Sequence, residues 1–287
     1  MKNIGIFNKK NYLIVIVMLI SFMAIGSFFD YQISSAVYNQ ESWFGIFFAS
    51  FGQLPAMLCF SVGGTLMIKV ADRNKKLTLA LSYIFGVLLN AFALFGVAMD
   101  PMLYIKEMPL VLSIVIAIVV VVGVDVMIWR LTDTTSREDI KKVIWAFVGI
   151  MFIEIIVINI VKIPWGRPRM RMISVQPDAF FQPWWVIGSE MKDKLMAIGV
   201  AAEEFKSFPS GHTGNATCSI LLCLLPIICS KLKGKENLLF WIGIIFAVVV
   251  AFSRLVMGAH FLTDVTVGLT ITFVVSMTIT RILWKNR

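Results

Sequence analysis

Apolar residues run for about 18 positions or more in eight places along this chain, the length needed to cross a hydrocarbon core as a helix. The runs are 12–29, 44–68, 77–98, 110–129, 143–161, 211–230, 238–257 and 262–280. They predict an all-α fold, a polytopic helical membrane bundle of about eight transmembrane helices. The polar connections between them alternate in charge. Lys2, Lys9 and Lys10 precede the first run; Lys69, Arg73, Lys75 and Lys76 follow the second. Arg130, Arg137, Lys141 and Lys142 follow the fourth, Lys231, Lys233 and Lys235 the sixth, and Arg281, Lys285 and Arg287 the last. The intervening loops at 30–43 and 99–109 carry only Lys106. By the positive-inside rule the basic side is the cytoplasm, which places both termini there.

Composition narrows the class. Of 287 residues, 59% are hydrophobic and 15% charged, against about 25% charged in an ordinary globular domain. A soluble enzyme could not hide that much apolar surface, and a disordered chain would not carry it. The net charge of +9 is accounted for by topology, so no nucleic-acid partner is needed. The first run exceeds the roughly 7–15 residues of a signal-peptide core and reads as an uncleaved anchor. Cys59, Cys218, Cys223 and Cys229 all fall inside apolar runs and read as small buried residues.

One connection breaks the rhythm. Residues 162–209 lie on the outer side by the charge count, yet hold Lys162, Arg167, Arg169, Arg171, Lys192, Lys194 and Lys206. Cations placed against the topology rule need a reason, and binding an anion supplies one. Trp165, Trp184 and Trp185 in the same segment fit an interfacial belt. The chain has two histidines, His212 and His260, and both fall on this face. His260 and Asp264 are four residues apart, hence on one helix face. A carboxylate so placed can fix the imidazole tautomer and leave the other nitrogen as a nucleophile. His212 is then available as a general acid. Lys162, Arg169 and Arg254 are cations that can surround a phosphoryl group. Pro209-Ser210-Gly211-His212 opens a predicted helix, where Ser210 offers a hydroxyl or an N-cap and Gly211 admits close backbone approach.

Lys162 with Arg169 seven positions on, then Pro209-Ser210-Gly211-His212, then Ser253-Arg254 with His260 and Asp264, resembles the type 2 phosphatidic acid phosphatase family. The three segments occur in that family's order. The resemblance implies a helical membrane bundle that hydrolyses phosphate esters without a metal or other cofactor. It casts His260 as the nucleophile that forms a phosphohistidine, Asp264 as its orienting partner and His212 as the acid for the leaving group. Lys162, Arg169, Ser210, Gly211 and Arg254 then hold the phosphate. Two features depart from the pattern. Arg169 is followed by Met170 where the family has proline, and Arg167-Pro168 two residues earlier offers a second register. Five runs precede the first segment instead of three, so residues 1–76 read as an additional N-terminal helix pair before a six-helix body at 77–287.

Glu154 lies two turns before Lys162 and reads as a support for a neighbouring helix or for the cations; Asp125, beside Arg130, reads as snorkelling or paired. The expected activity is that of an integral membrane phosphatase acting on a lipid phosphate or a polyprenyl pyrophosphate, with Arg167 and Arg171 as candidates for a second phosphate. A phosphotransferase using the same histidine, and a non-enzymatic lipid or anion transporter, are the alternatives. The expected setting is a bacterial plasma membrane with the site facing outward, and the expected partners are the lipid substrate and the bilayer.

Overall fold

Some of the helices begin where a polar side chain satisfies one of their first free N–H groups. Asn8 caps α1 (Lys9–Val37) by accepting from the Lys10 amide at 3.0 Å, and Ser42 caps α2 (Trp43–Phe51). Ser136 caps α6 (Arg137–Trp165), whose first turn carries Glu138 and Asp139 at the positive end of the helix. Between them run α3 (Leu54–Lys69), α4 (Lys76–Tyr104) and α5 (Leu110–Leu131). Two short helices follow, α7 (Met170–Ile173) and α8 (Glu190–Ala197), with a 3₁₀ turn at Ala202–Phe205. The chain then enters α9 (Gly211–Thr217), continues as 3₁₀ helix through Cys218–Ile227, and ends in α10 (Glu236–Val256) and α11 (Leu262–Leu283). This computed structural model describes residues 8–132 and 136–285; Lys2 and Arg287, two cations of the topology count, lie outside them. No strand occurs among the described residues.

Seven helices among the described residues are long and apolar enough to cross a membrane, one fewer than the apolar runs. The second run contains a break at Gly52-Gln53, where Pro55 starts a new helix, although α2 and α3 together remain one candidate span. The missing span is 211–230. It is seven residues of α-helix followed by ten of 3₁₀ helix, broken near its end by Pro226. Because 3₁₀ helix rises about 2.0 Å per residue against 1.5 Å, such a stretch covers about 30 Å without being a long α-helix. It is buried at nearly every position, so neighbouring protein surrounds it.

The core is centred on this segment. Phe60 and Leu66 of α3, Ile150 and Met151 of α6, Leu221 and Leu224 of the 3₁₀ stretch, Phe240 of α10 and Phe273 of α11 form one buried cluster. A Cβ at Gly243 would lie 2.6 Å from the backbone of Ser219 and Ile220, so only glycine lets α10 press this closely. The four cysteines are buried and form no disulfide. Large apolar residues face outward along α4 and α5, for example Phe85, Val111 and Val119, more than half exposed. That is the surface a bilayer covers.

Several helices overrun their predicted ends, and two of the extensions bear on the site. α4 passes through Pro101 to Tyr104, and α6 reaches Trp165, so Lys162 sits on its last turn and the outer connection starts at Gly166. Gly166 ends α6 in the left-handed conformation (φ +66°). Outer-side aromatics stack there: Trp165 on Phe208 at 4.5 Å between ring centroids, and Phe208 on Trp184 at 6.3 Å.

Candidate active site

The three segments singled out in the sequence converge at one end of the bundle, where α6 and α10 finish and α9 and α11 begin. The Ser210 amide donates to the Asp264 carbonyl at 3.0 Å, and a Cβ at Gly268 would strike the Ser210 carbonyl. The loop before α9 is thus pinned to the first turn of α11. The amides of Ala259 and His260 both donate to the Arg254 carbonyl, at 3.1 and 3.3 Å. Gly258, at φ +59°, makes the turn that folds them back. A side chain there would collide with Tyr38.

His260 is buried, and its Nδ1 lies 2.5 Å from the Ser207 carbonyl. A carbonyl can only accept, so Nδ1 carries the proton and Nε2 keeps its lone pair. Asp264 is 3.9 Å from Nδ1, so the near partner of the imidazole is the carbonyl of Ser207. The carboxylate acts one step back: it accepts from the Ser207 hydroxyl at 2.5 Å, the Phe261 amide at 2.8 Å and the Arg167 guanidinium. Burial, then Arg169, Lys162, Arg254 and His212, hold the His260 pKa well below its ordinary value. At neutral pH the ring is the uncharged nucleophile form.

Three cations face this ring. Arg254 is 1% exposed, and its Nε and Nη1 have no hydrogen-bond partner; its guanidinium carbon lies 5.4 Å from the Tyr104 ring centroid. Arg169 donates from Nη2 to Glu203 at 2.9 Å, while its buried Nε has no partner. Lys162 reaches over the start of α9, where a Cβ on Gly211 would lie 3.6 Å from its Nζ. Buried polar groups are normally satisfied. Unpaired guanidinium nitrogens converging on one place are what an anion site looks like without its anion. Ser210 caps α9, accepting from the Thr213 amide at 3.3 Å with its Oγ 3.0 Å from Thr213 Oγ1. Glu203 is held below its usual pKa: partial burial acts upward, but the Lys206 hydrogen bond, Arg169 and Lys162 outweigh it.

His212 is half-buried, with Nε2 3.2 Å from the Tyr104 hydroxyl and the two rings edge to face at 5.6 Å. Tyr104 escapes the sequence reading because it lies beyond the third apolar run, which ends at residue 98. A polar relay holds that extension in place. Gln53 donates to Asp100 at 2.9 Å and accepts from Asn215 at 2.5 Å, tying α4 to α9.

Arg167 occupies a different place. It is completely buried and fully engaged, with the Gln182 carbonyl at 2.8 Å, Thr263 at 2.9 Å, Asp30 at 2.9 Å and Asp264 as acceptors. Of the two arginines, only Arg169 keeps a buried nitrogen without a partner. Arg171 is bound on two nitrogens by Glu204. Arg167 is not free to hold a second phosphate, because two carboxylates, a hydroxyl and a carbonyl fill its donors; Arg171 is committed to Glu204 through Nε and Nη2. Glu154 lies deeper, against Gly214, with both oxygens buried and without a hydrogen-bond partner. Among the described residues no group of three or more histidine, cysteine, aspartate or glutamate side chains could hold a metal ion.

The profile of the PAP2 superfamily matches residues 143–287, just over half of the chain. No curated protein and no solved structure gives a significant match.

Proposed function

Since the chain belongs to the PAP2 superfamily, a family of phosphatase type, we propose that it is a membrane phosphatase that cleaves a lipid phosphate ester through a phosphohistidine. One observation carries this reading: Arg254 and Arg169 present unpaired buried nitrogens beside a histidine whose tautomer leaves Nε2 bare. In the reaction, Nε2 of His260 attacks phosphorus while the bond to the ester oxygen breaks, and His212 gives that oxygen its proton. Water then attacks the phosphohistidine, surrendering a proton to His212 and releasing phosphate and free His260. Lys162, Arg169, Arg254 and Ser210, with the backbone at Gly211, neutralise the charge spread over the non-bridging oxygens. Asp264 holds the Ser207 hydroxyl, and so the carbonyl on which the ring rests.

Helices with apolar outer faces surround the site, which suits a substrate whose tail stays in the bilayer. The charge asymmetry supports an outward-facing site in a bacterial plasma membrane. With Arg167 and Arg171 engaged, the reading rests on one phosphoryl group, and polyprenyl pyrophosphate ranks with the monophosphates. Phosphate release by the purified protein in detergent containing EDTA tests it, on undecaprenyl pyrophosphate, phosphatidate, phosphatidylglycerol phosphate and a soluble sugar phosphate. Turnover that survives chelation and vanishes in His260→Ala supports it. No release from any of the four by folded protein refutes it.

A further inference from the structure

The N-terminal helix lies outside the segment that matches the family, yet it reaches the catalytic carboxylate. Asp30, near the outer end of α1, is 3% exposed. A carboxylate in an apolar span is costly unless it is paired, and here every acceptor is used. Oδ1 accepts from the Thr263 amide at 3.0 Å; Oδ2 accepts from Arg167 at 2.9 Å and from the Thr263 hydroxyl. Arg167 in turn donates to Asp264. The guanidinium is stretched between two carboxylates from opposite ends of the chain, and its plane lies over the Phe261 ring at 4.4 Å.

A second observation comes from the backbone. One turn before Asp30, a Cβ at Gly26 would lie 2.8 Å from Thr263 Cγ2 and 3.1 Å from the Thr263 amide. The absence of a side chain is what lets α1 approach the first turn of α11 closely enough for Asp30 to reach it. The same turn carries Ser27, which accepts from the Trp184 indole at 2.9 Å. The outer connection is therefore tied to α1 where Asp30 leaves it.

We propose that Asp30 is a positioning residue of the reaction: it holds Arg167 against Asp264, and through Asp264 and Ser207 it fixes the orientation of His260. The path is continuous. Asp30 anchors Arg167; Arg167 and the Phe261 amide set Asp264; Asp264 holds the Ser207 hydroxyl; and the Ser207 carbonyl takes the His260 Nδ1 proton. Without Asp30, Arg167 has one carboxylate left and is drawn wholly onto Asp264, which then competes less well for Ser207. The groups that face His260 itself are Arg169, Lys162, Arg254 and His212, with Asp264 beside it; Asp30 acts only through the chain. The N-terminal helix pair is then a working part of the site, a deepening that rests on the phosphatase reading above.

The test uses the full-length protein in detergent, with phosphate release from a short-chain phosphatidate and with nitrogen-15 labelling of histidine. Two histidines in the chain give two imidazoles, and His212→Asn assigns them. Asp30→Asn is expected to lower kcat about tenfold with KM within about twofold, and to turn the single Nδ1–H tautomer of His260 into a mixture. Asp30→Glu, which returns the carboxylate, restores part of both. Wild-type kcat with a single tautomer in Asp30→Asn overturns the proposal. So does a fall in activity that matches a loss of folded protein with the tautomer unchanged. If Asp30→Asn does not fold, Asp30→Ser, which also removes the carboxylate, decides on the same two readouts: a lower kcat with a mixed tautomer supports the proposal, and wild-type values overturn it. A wild type that releases no phosphate defeats the phosphatase reading alone, because the tautomer comparison between wild type and Asp30→Asn still decides the role of Asp30.

Discussion

Arg167 and Arg254 are both buried arginines at the same end of the bundle, and they could hardly be treated more differently. Arg167 is surrounded by two carboxylates, a hydroxyl and a carbonyl. Arg254 keeps two nitrogens without any partner. Removing a charge from water is expensive, and the cost is recovered only through good partners. The first arginine recovers it within the fold, so its role is architectural. The second recovers it within the fold only in part, through Tyr104, and the proposed anion would supply the rest. The difference separates the scaffold of the site from its working surface more cleanly than sequence position does, since the scaffold arginine is only two residues from Arg169.

The comparison can be broken at its working end first. His260→Ala is expected to cut phosphate release by at least about 10⁴-fold and to abolish the phosphoenzyme trapped by acid quench. Arg254→Met is expected to lower kcat/KM by about 10²–10³-fold, with a melting temperature equal to or above that of the wild type, because an uncompensated charge leaves the interior. Arg167→Met reverses the balance: it strands Asp30 and Asp264, and thermal or denaturant unfolding is expected to show about 3 kcal/mol or more of lost stability. Equal melting temperatures for the two arginine variants would erase the distinction. Next in size is a pH effect. The folded state holds His260 well below 6.5 while the unfolded chain protonates near 6.5. Its contribution is thus fully present above that pH and is lost on acidification below it. His260→Gln should flatten that part of the melting-temperature profile. Smallest is Glu203→Gln. Its side chain is 58% exposed, so stability should change by about 0.5 kcal/mol or less, with a slightly lower KM as Arg169 turns fully to the anion.

The bundle was legible because hydropathy needs no tertiary information: seven of the eight apolar runs are membrane-length helices. The run 211–230 was found but its form was not, since burial on all sides replaces the periodicity that distinguishes helix types. Lys162, Arg169, Ser210, Gly211, His212, Arg254, His260 and Asp264 could be picked out by spacing, and the fold brings all of them to one end. What spacing could not give is which acceptor sits on His260 Nδ1, because the i+4 rule places Asp264 nearby but says nothing of the Ser207 carbonyl arriving from another segment. Asp30 and Tyr104 were invisible for a related reason. Each acts across more than a hundred residues of sequence, and neither belongs to a local pattern. The expectation that Arg167 holds a second phosphate fails because charge counting cannot see Asp30 beside it, and it equally cannot see Glu204 beside Arg171.

The stack of Trp165, Phe208 and Trp184 carries an optical consequence. Trp165 follows Lys162 by three residues and Phe208 precedes Ser210 by two, so the Trp165 indole, packed on one face of Phe208, lies between the two segments proposed to hold the phosphate. Any ligand that draws Lys162 and Ser210 together changes the packing of that indole, and with it the wavelength and yield of its emission. The protein therefore contains its own fluorescent reporter of occupancy, readable by titration without labelled substrate and silenced by Trp165→Phe.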